Sequence, residues 1–363
     1  MPDDGGDNER YAMFKPRDEL LDYFDRYAER HHLAELTHFG VTVSGIERDT
    51  TNVNHRWLVH TNSDDCRARF VVVATGHCRC PYSPRFENQE NYTGELLHSK
   101  AYRNGEPFRG KSVLVVGTGN SGAEISTELV EAGAASVAML GWGPRYYIPL
   151  DTFGELNIQA REMGGAGPEG LVNIHPLTPG TEPYLAGVEQ FDAMLRPLAV
   201  DLTEFGIDLP AVGPISEFIN THRVPVMDKG AIPLMRNGKI EVIKDRVMAF
   251  TPGGVQLGAS GERDFDAVIL ATGFTPGLEE FVPGELTAIV PTHGHLFPKT
   301  DGRCASTVYD DIYFVGFDQS LMSGLSIGVW GFEVGEKIAT KLGTFSAHQR
   351  PPEFSRAPWE AAI

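Results

Sequence analysis

The sequence predicts an α/β protein with two dinucleotide-binding domains, each Rossmann-like and three-layered. Three observations predict it. An apolar strand (KSVLVV, 111–116) runs into a glycine turn and then into a helix. A pattern of short strands followed by an apolar strand closing on Ala-Thr-Gly occurs twice, at 74–76 and at 271–273. The length, 363 residues, suits roughly two domains of about 100–200 residues each.

Taken in order, residues 16–31 read as an amphipathic helix. Pro16 suits the first helical position, Asp18 and Glu19 favour the positive end of the dipole, and Leu20, Leu21, Phe24, Tyr27 and Ala28 recur at helical spacing. Strands are expected at 41–46 and 56–60. The run RFVVVA (69–74) reads as a strand buried on both faces, ending in Thr75-Gly76. The central stretch reads as a βαβ unit: strand 111–116, glycine loop 117–122, helix 123–131 and strand 135–140. Residues 151–222 are rich in Pro and Gly and read as an irregular insertion, with helical patches near 188–200 and 214–221. The second copy has short strands at 240–244, 247–250 and 255–257, then FDAVILA (265–271) closing on Thr272-Gly273. A strand at 311–315, a glycine-rich stretch at 316–328 and a helix ending near 342 follow, then a polar tail with three prolines.

Composition narrows the function. Asp plus Glu is 49 against 31 Lys plus Arg, a net charge of −18, which argues against nucleic acid or an anionic membrane as partner. Nothing approaches the roughly 18 unbroken apolar residues of a membrane span, and the acidic, polar start does not read as a secretory signal. Cys66, Cys78, Cys80 and Cys304 show neither a CxxC pair nor zinc spacing, so a reduced, cytoplasmic protein without a metal site is expected. Glycine is the outlier: 40 residues, against a typical share of about 7%.

The chemistry centres on VLVVGTGNSGAEIS, where Gly117, Gly119 and Gly122 have GxGxxG spacing between strand and helix. Gly117 allows the tight turn, Gly119 lets the backbone approach a pyrophosphate, and Gly122 lets the helix pack close to the strand. The helix N-terminus then offers free N–H groups to the anion. An NAD-type site wants a carboxylate at the end of the second strand, but the residues there are Leu140-Gly141-Trp142-Gly143-Pro144-Arg145. Arg145 favours a 2′-phosphate, hence NADP(H), although it reads equally well as a surface residue beside Tyr146 and Tyr147.

The segment YTGELLHSKAYR places Tyr92, Gly94, His98 and Tyr102 in the pattern (F/Y)xGxxxHxxxY, followed by Arg103. With GTGNSGAEIS and the two ATG-closing strands, it resembles the flavin-containing monooxygenase family, in its bacterial and YUCCA-like, N- and S-oxygenating branch. Segments such as HRVPVMDKGAIPLMRNGKIEVI and FDAVILATGFTP resemble that branch too. The resemblance implies a FAD domain interrupted by an NADP(H) domain. Residues 1–95 would form part of the FAD domain, 96–273 the NADP(H) domain with the insertion, 274–345 the return to the FAD domain, and 346–363 a tail. It implies FAD and NADP(H) as cofactors, with NADPH reducing the flavin, O2 adding at C4a, and the hydroperoxide oxygenating a small soft nucleophile. Gly117, Thr118, Gly119, Asn120, Ser121 and Gly122 would hold the NADPH pyrophosphate. Thr75, Gly76, Thr272 and Gly273 would lie at the crossings between domains, near the dinucleotides. His98 and Tyr102 would mark the linker coupling NADPH position to the flavin, with His98 equally readable as a residue that only shapes that linker. Asp318, after the final strand, would be the candidate contact to the ribityl chain or a cap of the following helix.

Two departures from the family pattern are visible. Tyr92 stands where Phe is usual, and Trp142 stands where an Arg is expected at the end of the second strand. Tyr102 closes the linker motif where Baeyer–Villiger relatives usually carry Trp, and Cys78-Arg79-Cys80 has the wrong spacing for a disulfide reductase. The family's first glycine fingerprint, which binds the FAD pyrophosphate, is expected before the first ATG, where the sequence offers only DGGD at 4–7. The expectation is therefore either a shortened form of a longer enzyme or a divergent member. The second reading of function is an NADP(H)-binding module, or inactive fragment, that does not retain FAD. Neither the substrate nor the oligomeric state leaves a signature.

Overall fold

A computed structural model of the chain describes residues 17–344 except 53, 55, 142, 153–181, 222, 290–294, 303 and 318–322. The chain divides into two compact units. The smaller comprises the described residues of Met1–Val71, Glu279–Gly284 and those of Glu333–Ile363, so it is discontinuous in sequence. It holds helix α1 (Arg17–Arg30) and an antiparallel meander of β1 (Val43–Arg48), β2 (Trp57–Thr61) and β3 (Cys66–Ala68). Trp57 is fully buried, with the Arg48 guanidinium 4.7 Å from its ring centroid. The helix forms where its periodicity predicts, but its apolar side chains lie differently. Tyr23 is the residue buried, whereas Leu21 and Phe24 are exposed. Periodicity decides which side chains share a face; burial also needs a neighbour on that face.

The larger unit takes Val72–Leu278 and Glu285–Phe332. Its elements begin with β4 (Val71–Val73), β5 (Cys80–Pro81), β6 (Glu95–His98), β7 (Ser112–Val116), α2 (Asn120–Glu131), β8 (Ser136–Leu140) and β9 (Tyr147–Pro149). The helices α3 (Glu182–Leu195) and α4 (Pro214–Thr221) follow, then β10 (Val226–Asp228), α5 (Ala231–Arg236) and β11 (Ile240–Ile243). The remainder is β12 (Val247–Phe250), β13 (Gly254–Leu257), β14 (Glu262–Asp264), β15 (Ala267–Leu270), β16 (Phe274–Thr275), β17 (Thr287–Ile289), β18 (Leu296–Pro298) and β19 (Ile312–Phe314), and helix α6 (Ser323–Leu342) begins in this unit and runs into the smaller one from Glu333.

A five-stranded parallel sheet in the order β11-β8-β7-β15-β6 is its centre. Alternate residues of a strand point to opposite faces, and here each face has its own layer. Val113, Val115 and Ile269 pack with Leu129 of α2 and Met235 of α5. Leu114, Val116, Val268 and Leu270 pack with Phe250, Val255 and Leu257 of the antiparallel β12-β13-β14 meander. Helices, sheet and meander are the three layers. The parallel strands are apolar throughout because both faces are covered.

Several sequence expectations need correction. Helix α2 begins at Asn120, three residues earlier than expected, so Asn120 and Ser121 belong to its first turn. The strand expected at 240–244 joins the parallel sheet as β11 beside β8, not the meander, whose third strand is β14. Residues 69–74 yield only the three-residue β4, and Val72 is 44% exposed. Among the described residues β4 pairs with β19 alone, and a two-stranded ladder lacks the layers that bury β15. The stretch 316–328 becomes helical from Ser323. Within the insertion, α4 forms as expected, while 153–181 lie outside the described residues. The division expected at 95/96 falls inside β6.

Candidate dinucleotide site

The strand order reverses between β7 and β15: the chain runs from β7 to β8 and β11 on one side and returns to β15 on the other. Ligands of open α/β sheets bind outside the carboxyl ends of strands at such a point. Here those ends carry Gly117 after β7, Thr272 and Gly273 after β15, and His98 at the end of β6. The register places Val116 beside Leu270, and Leu270 beside His98.

The three fingerprint glycines are distinct in geometry. Gly117 has φ +134°, and a Cβ there would collide with the Ala271 carbonyl oxygen. A Cβ on Gly122 would collide with the Gly117 carbonyl oxygen, so Gly122 holds the helix against the turn. Gly119 faces open space. It caps α2 with no side-chain hydrogen bond to the cap, and Ser121 is exposed in the first turn. An anion can therefore reach the helix N-terminus. Thr118 is buried; its carbonyl accepts from the Tyr147 hydroxyl at 2.9 Å.

Asn120 is committed elsewhere. Its Nδ2 donates to the Pro225 carbonyl at 3.0 Å, and its Oδ1 accepts from the Met227 N–H at 2.8 Å. The side chain fastens β10 to the start of α2 and keeps its second Nδ2 hydrogen beyond these two bonds. Arg145 is partly buried, with its N–H bonded to the Asp208 carbonyl. Burial, then the neighbouring Arg223 charge, pulls its guanidinium below its ordinary pKa. In sequence Arg223 is marked only as a basic residue in HRVPV, because 78 positions separate it from Arg145.

The linker motif straddles the sheet. Tyr92 and Gly94 precede β6, at the amino ends of the strands. The Tyr92 hydroxyl donates to the Phe265 carbonyl at 2.7 Å, and its ring packs on Phe250. This bond uses the hydroxyl by which Tyr92 departs from the usual Phe. A Cβ on Gly94 would overlap the Tyr92 ring and hydroxyl. Both residues are structural supports remote from the glycine turn. His98 lies at the other end, where Nδ1 accepts the Lys100 N–H at 3.0 Å and Nε2 donates to the Gly273 carbonyl at 3.0 Å. Both ring nitrogens are occupied in the neutral tautomer these bonds assign. Burial lowers its pKa, opposed by the bond to Gly273, with Lys100 lowering it further. Tyr102 stacks on Phe108 at 5.8 Å, and burial, then the Glu128 carboxylate, raises its pKa. Ser99 Oγ is buried without a hydrogen-bond partner among the described residues.

Thr272 donates its hydroxyl to the Tyr82 carbonyl, and Gly273 turns with φ +94° into β16, which pairs with β5. Thr75 is exposed and Gly76 adopts φ +69°. The two ATG segments thus share a glycine of positive φ after an apolar strand. Cys78 and Cys80 are free thiols. Asp318 and Trp142 lie outside the described residues.

Comparisons with known proteins agree with this geometry. A model of the flavin-binding monooxygenase-like family matches residues 4–141. Indole-3-pyruvate monooxygenase YUCCA1 of Oryza sativa subsp. japonica is 31% identical over 329 residues, 88% of this chain and 73% of its own length. The chain belongs to the flavin-binding monooxygenase-like family. Probable indole-3-pyruvate monooxygenase YUCCA1 of Arabidopsis thaliana, another similar protein, is 29% identical over 76% of this chain and 62% of its own length, so the chain spans under two thirds of that relative. Among solved structures, OTEMO in complex with FAD and NADP aligns at TM-score 0.62 and 18% identity, covering 92% of this chain and 75% of that one. An oxidised steroid monooxygenase bound to NADP aligns at 0.57 and 19%, covering 90% and 72%. At these identities the likeness shows the α/β fold of this flavin monooxygenase-like chain, and nothing finer. No helix among the described residues is long and apolar enough to cross a membrane.

Proposed function

We propose that the chain is a FAD- and NADPH-dependent monooxygenase that uses O2 to oxygenate a small soft nitrogen or sulfur nucleophile or a related organic substrate. The observation that carries the reading is the turn after β7: Gly119 faces open space at a helix start without a side-chain cap, at the switch point of a parallel sheet. Those residues fit a dinucleotide pyrophosphate. In this reading Gly117, Thr118, Gly119, Ser121 and Gly122 shape its cradle, and the helix N–H groups hold the anion. Asn120 holds β10 in place beside it. Arg145, which follows the second strand of the βαβ unit, is read as the partner of a ribose 2′-phosphate, which favours NADPH over NADH. His98, with both nitrogens engaged, fixes the Gly273 turn and moves no proton.

FAD, when bound, supplies oxygen activation. Its assignment to 1–95 and 274–345, with Thr75, Gly76, Asp318 and the second ATG near the dinucleotides, is supported by membership of the family. The N- or S-oxygenating branch is supported by Tyr102 closing the linker motif, and a cytoplasmic location by four free thiols. The test is the absorption spectrum of the purified chain, with and without added FAD, followed by NADPH titration and oxygen uptake. Flavin absorbance and NADPH-driven oxygen uptake support the monooxygenase. A colourless protein that takes up no FAD yet binds NADPH overturns it in favour of an NADP(H)-binding module.

A further inference from the structure

The loop after β8 and the segment before β10 meet at the fingerprint helix. The guanidinium of Arg223 lies 3.8 Å from the position of a Cβ on Gly143, two residues before Arg145. Two bonds to Asn120 fix the chain just beyond Arg223, at Pro225 and Met227. The Arg223 N–H, in turn, is held by the Thr221 hydroxyl at 3.2 Å. Two cations are thus brought together beyond the second strand of the βαβ unit, and neither makes an ion pair among the described residues. Their neighbours are Tyr147 and Glu217, which both act to retain the Arg145 charge, and the Arg223 charge opposes it. Like charges in one neighbourhood disfavour each other; Glu217 offsets this in part, and a bound anion would offset it further. A guanidinium pair suits a phosphate, because each planar fork can give two parallel hydrogen bonds.

We propose that Arg223, from the segment following the insertion, is the residue that discriminates a 2′-phosphorylated from an unphosphorylated dinucleotide, acting with Arg145, and that Asn120 is its positioning residue. The inference rests on the NADP(H) reading of the turn after β7. It assigns specificity to a segment distant in sequence, in place of the carboxylate-or-arginine position at the end of the second strand. Through its bonds to Pro225 and Met227, Asn120 sets where Arg223 can stand.

The test is calorimetric binding of adenosine 2′,5′-bisphosphate and of 5′-AMP to the full chain, together with NADPH and NADH. Arg223→Ala is expected to weaken the 2′,5′-bisphosphate and NADPH by about 10- to 100-fold, the scale of a lost charged hydrogen-bonding group, and to leave 5′-AMP and NADH unchanged. Arg223→Lys should retain part of the preference. Asn120→Ala should reduce the ratio of the two affinities in the same direction. Equal weakening of both ligand classes, or none, by Arg223→Ala overturns the inference while leaving the dinucleotide site intact. Absence of binding by the unaltered chain to either class overturns the dinucleotide reading itself, and the inference with it. A misfolded Arg223→Ala is recognised by its thermal midpoint, and Arg223→Gln then decides by the same ratio.

Discussion

A Cβ on Gly122 would strike the Gly117 carbonyl oxygen, and one on Gly117 the Ala271 carbonyl, whereas one on Gly119 would meet nothing. Substitutions at these positions should therefore separate folding from binding. Gly122→Ala is expected to lower stability by about 1–3 kcal/mol, the usual cost of overpacking, seen as a drop in the thermal midpoint. Gly119→Asp should fold with an unchanged midpoint and lose NADPH binding, because it sets a carboxylate against the pyrophosphate. A normal affinity in Gly119→Asp would remove the site from this turn. His98 gives a pH dependence. Its folded pKa lies below the ordinary 6.5 because burial disfavours the charge. The unfolded chain therefore takes up the proton first as pH falls, so stability from neutral His98 is present above about pH 6.5 and lost below it. The acid limb of the midpoint-against-pH curve should flatten in His98→Asn; an unaltered limb would assign it to other groups.

Between elements, the parallel sheet separates a supporting end, at the amino ends of the strands, from the end proposed as the binding end, at their carboxyl ends. Tyr92 and Gly94 belong to the supporting end, fastened to the chain entering β15 by the hydroxyl bond to Phe265. Tyr92→Phe is expected to cost about 1 kcal/mol, the net worth of one hydrogen bond, in chemical denaturation. NADPH affinity should stay the same, since the change lies at the amino ends of the strands. A loss of affinity there would mean that β6 transmits strain along its length. The same contrast explains why one motif contains residues of different kinds: β6 runs from Gly94 at one end to His98, bonded to Gly273, at the other.

At the scale of the molecule, the binding end belongs wholly to the larger unit, Val72–Leu278 with Glu285–Phe332. Saturating NADPH should therefore stabilise that unit by mass action, about 2.7 kcal/mol at a hundredfold excess over Kd. Hydrogen exchange should slow at Asn120–Glu131 and Val226–Asp228, and Gly119→Asp should abolish the effect; protection elsewhere alone would contradict the site. Much of this was legible in the chain itself. Strand, glycine turn and helix are local, so GTGNSG and its flanks declared the βαβ unit and the tight packing at Gly117 and Gly122. The repeated ATG strand declared two related halves, and the structure repeats the element that precedes it, a three-stranded meander, in β1-β2-β3 and β12-β13-β14. What sequence could not supply was contact across long separations. Asn120 reads as one more fingerprint residue until the fold brings Pro225 to it, and Arg223 is one basic residue among many until it stands beside Arg145. Residues 69–74 and 265–271 look alike as sequence, yet only the second lies within a five-stranded sheet covered on both faces. Local periodicity determined the elements and the glycine turn; burial, side-chain commitment and the pairing of charges were decided by tertiary structure, because each depends on residues that meet only when the chain has folded.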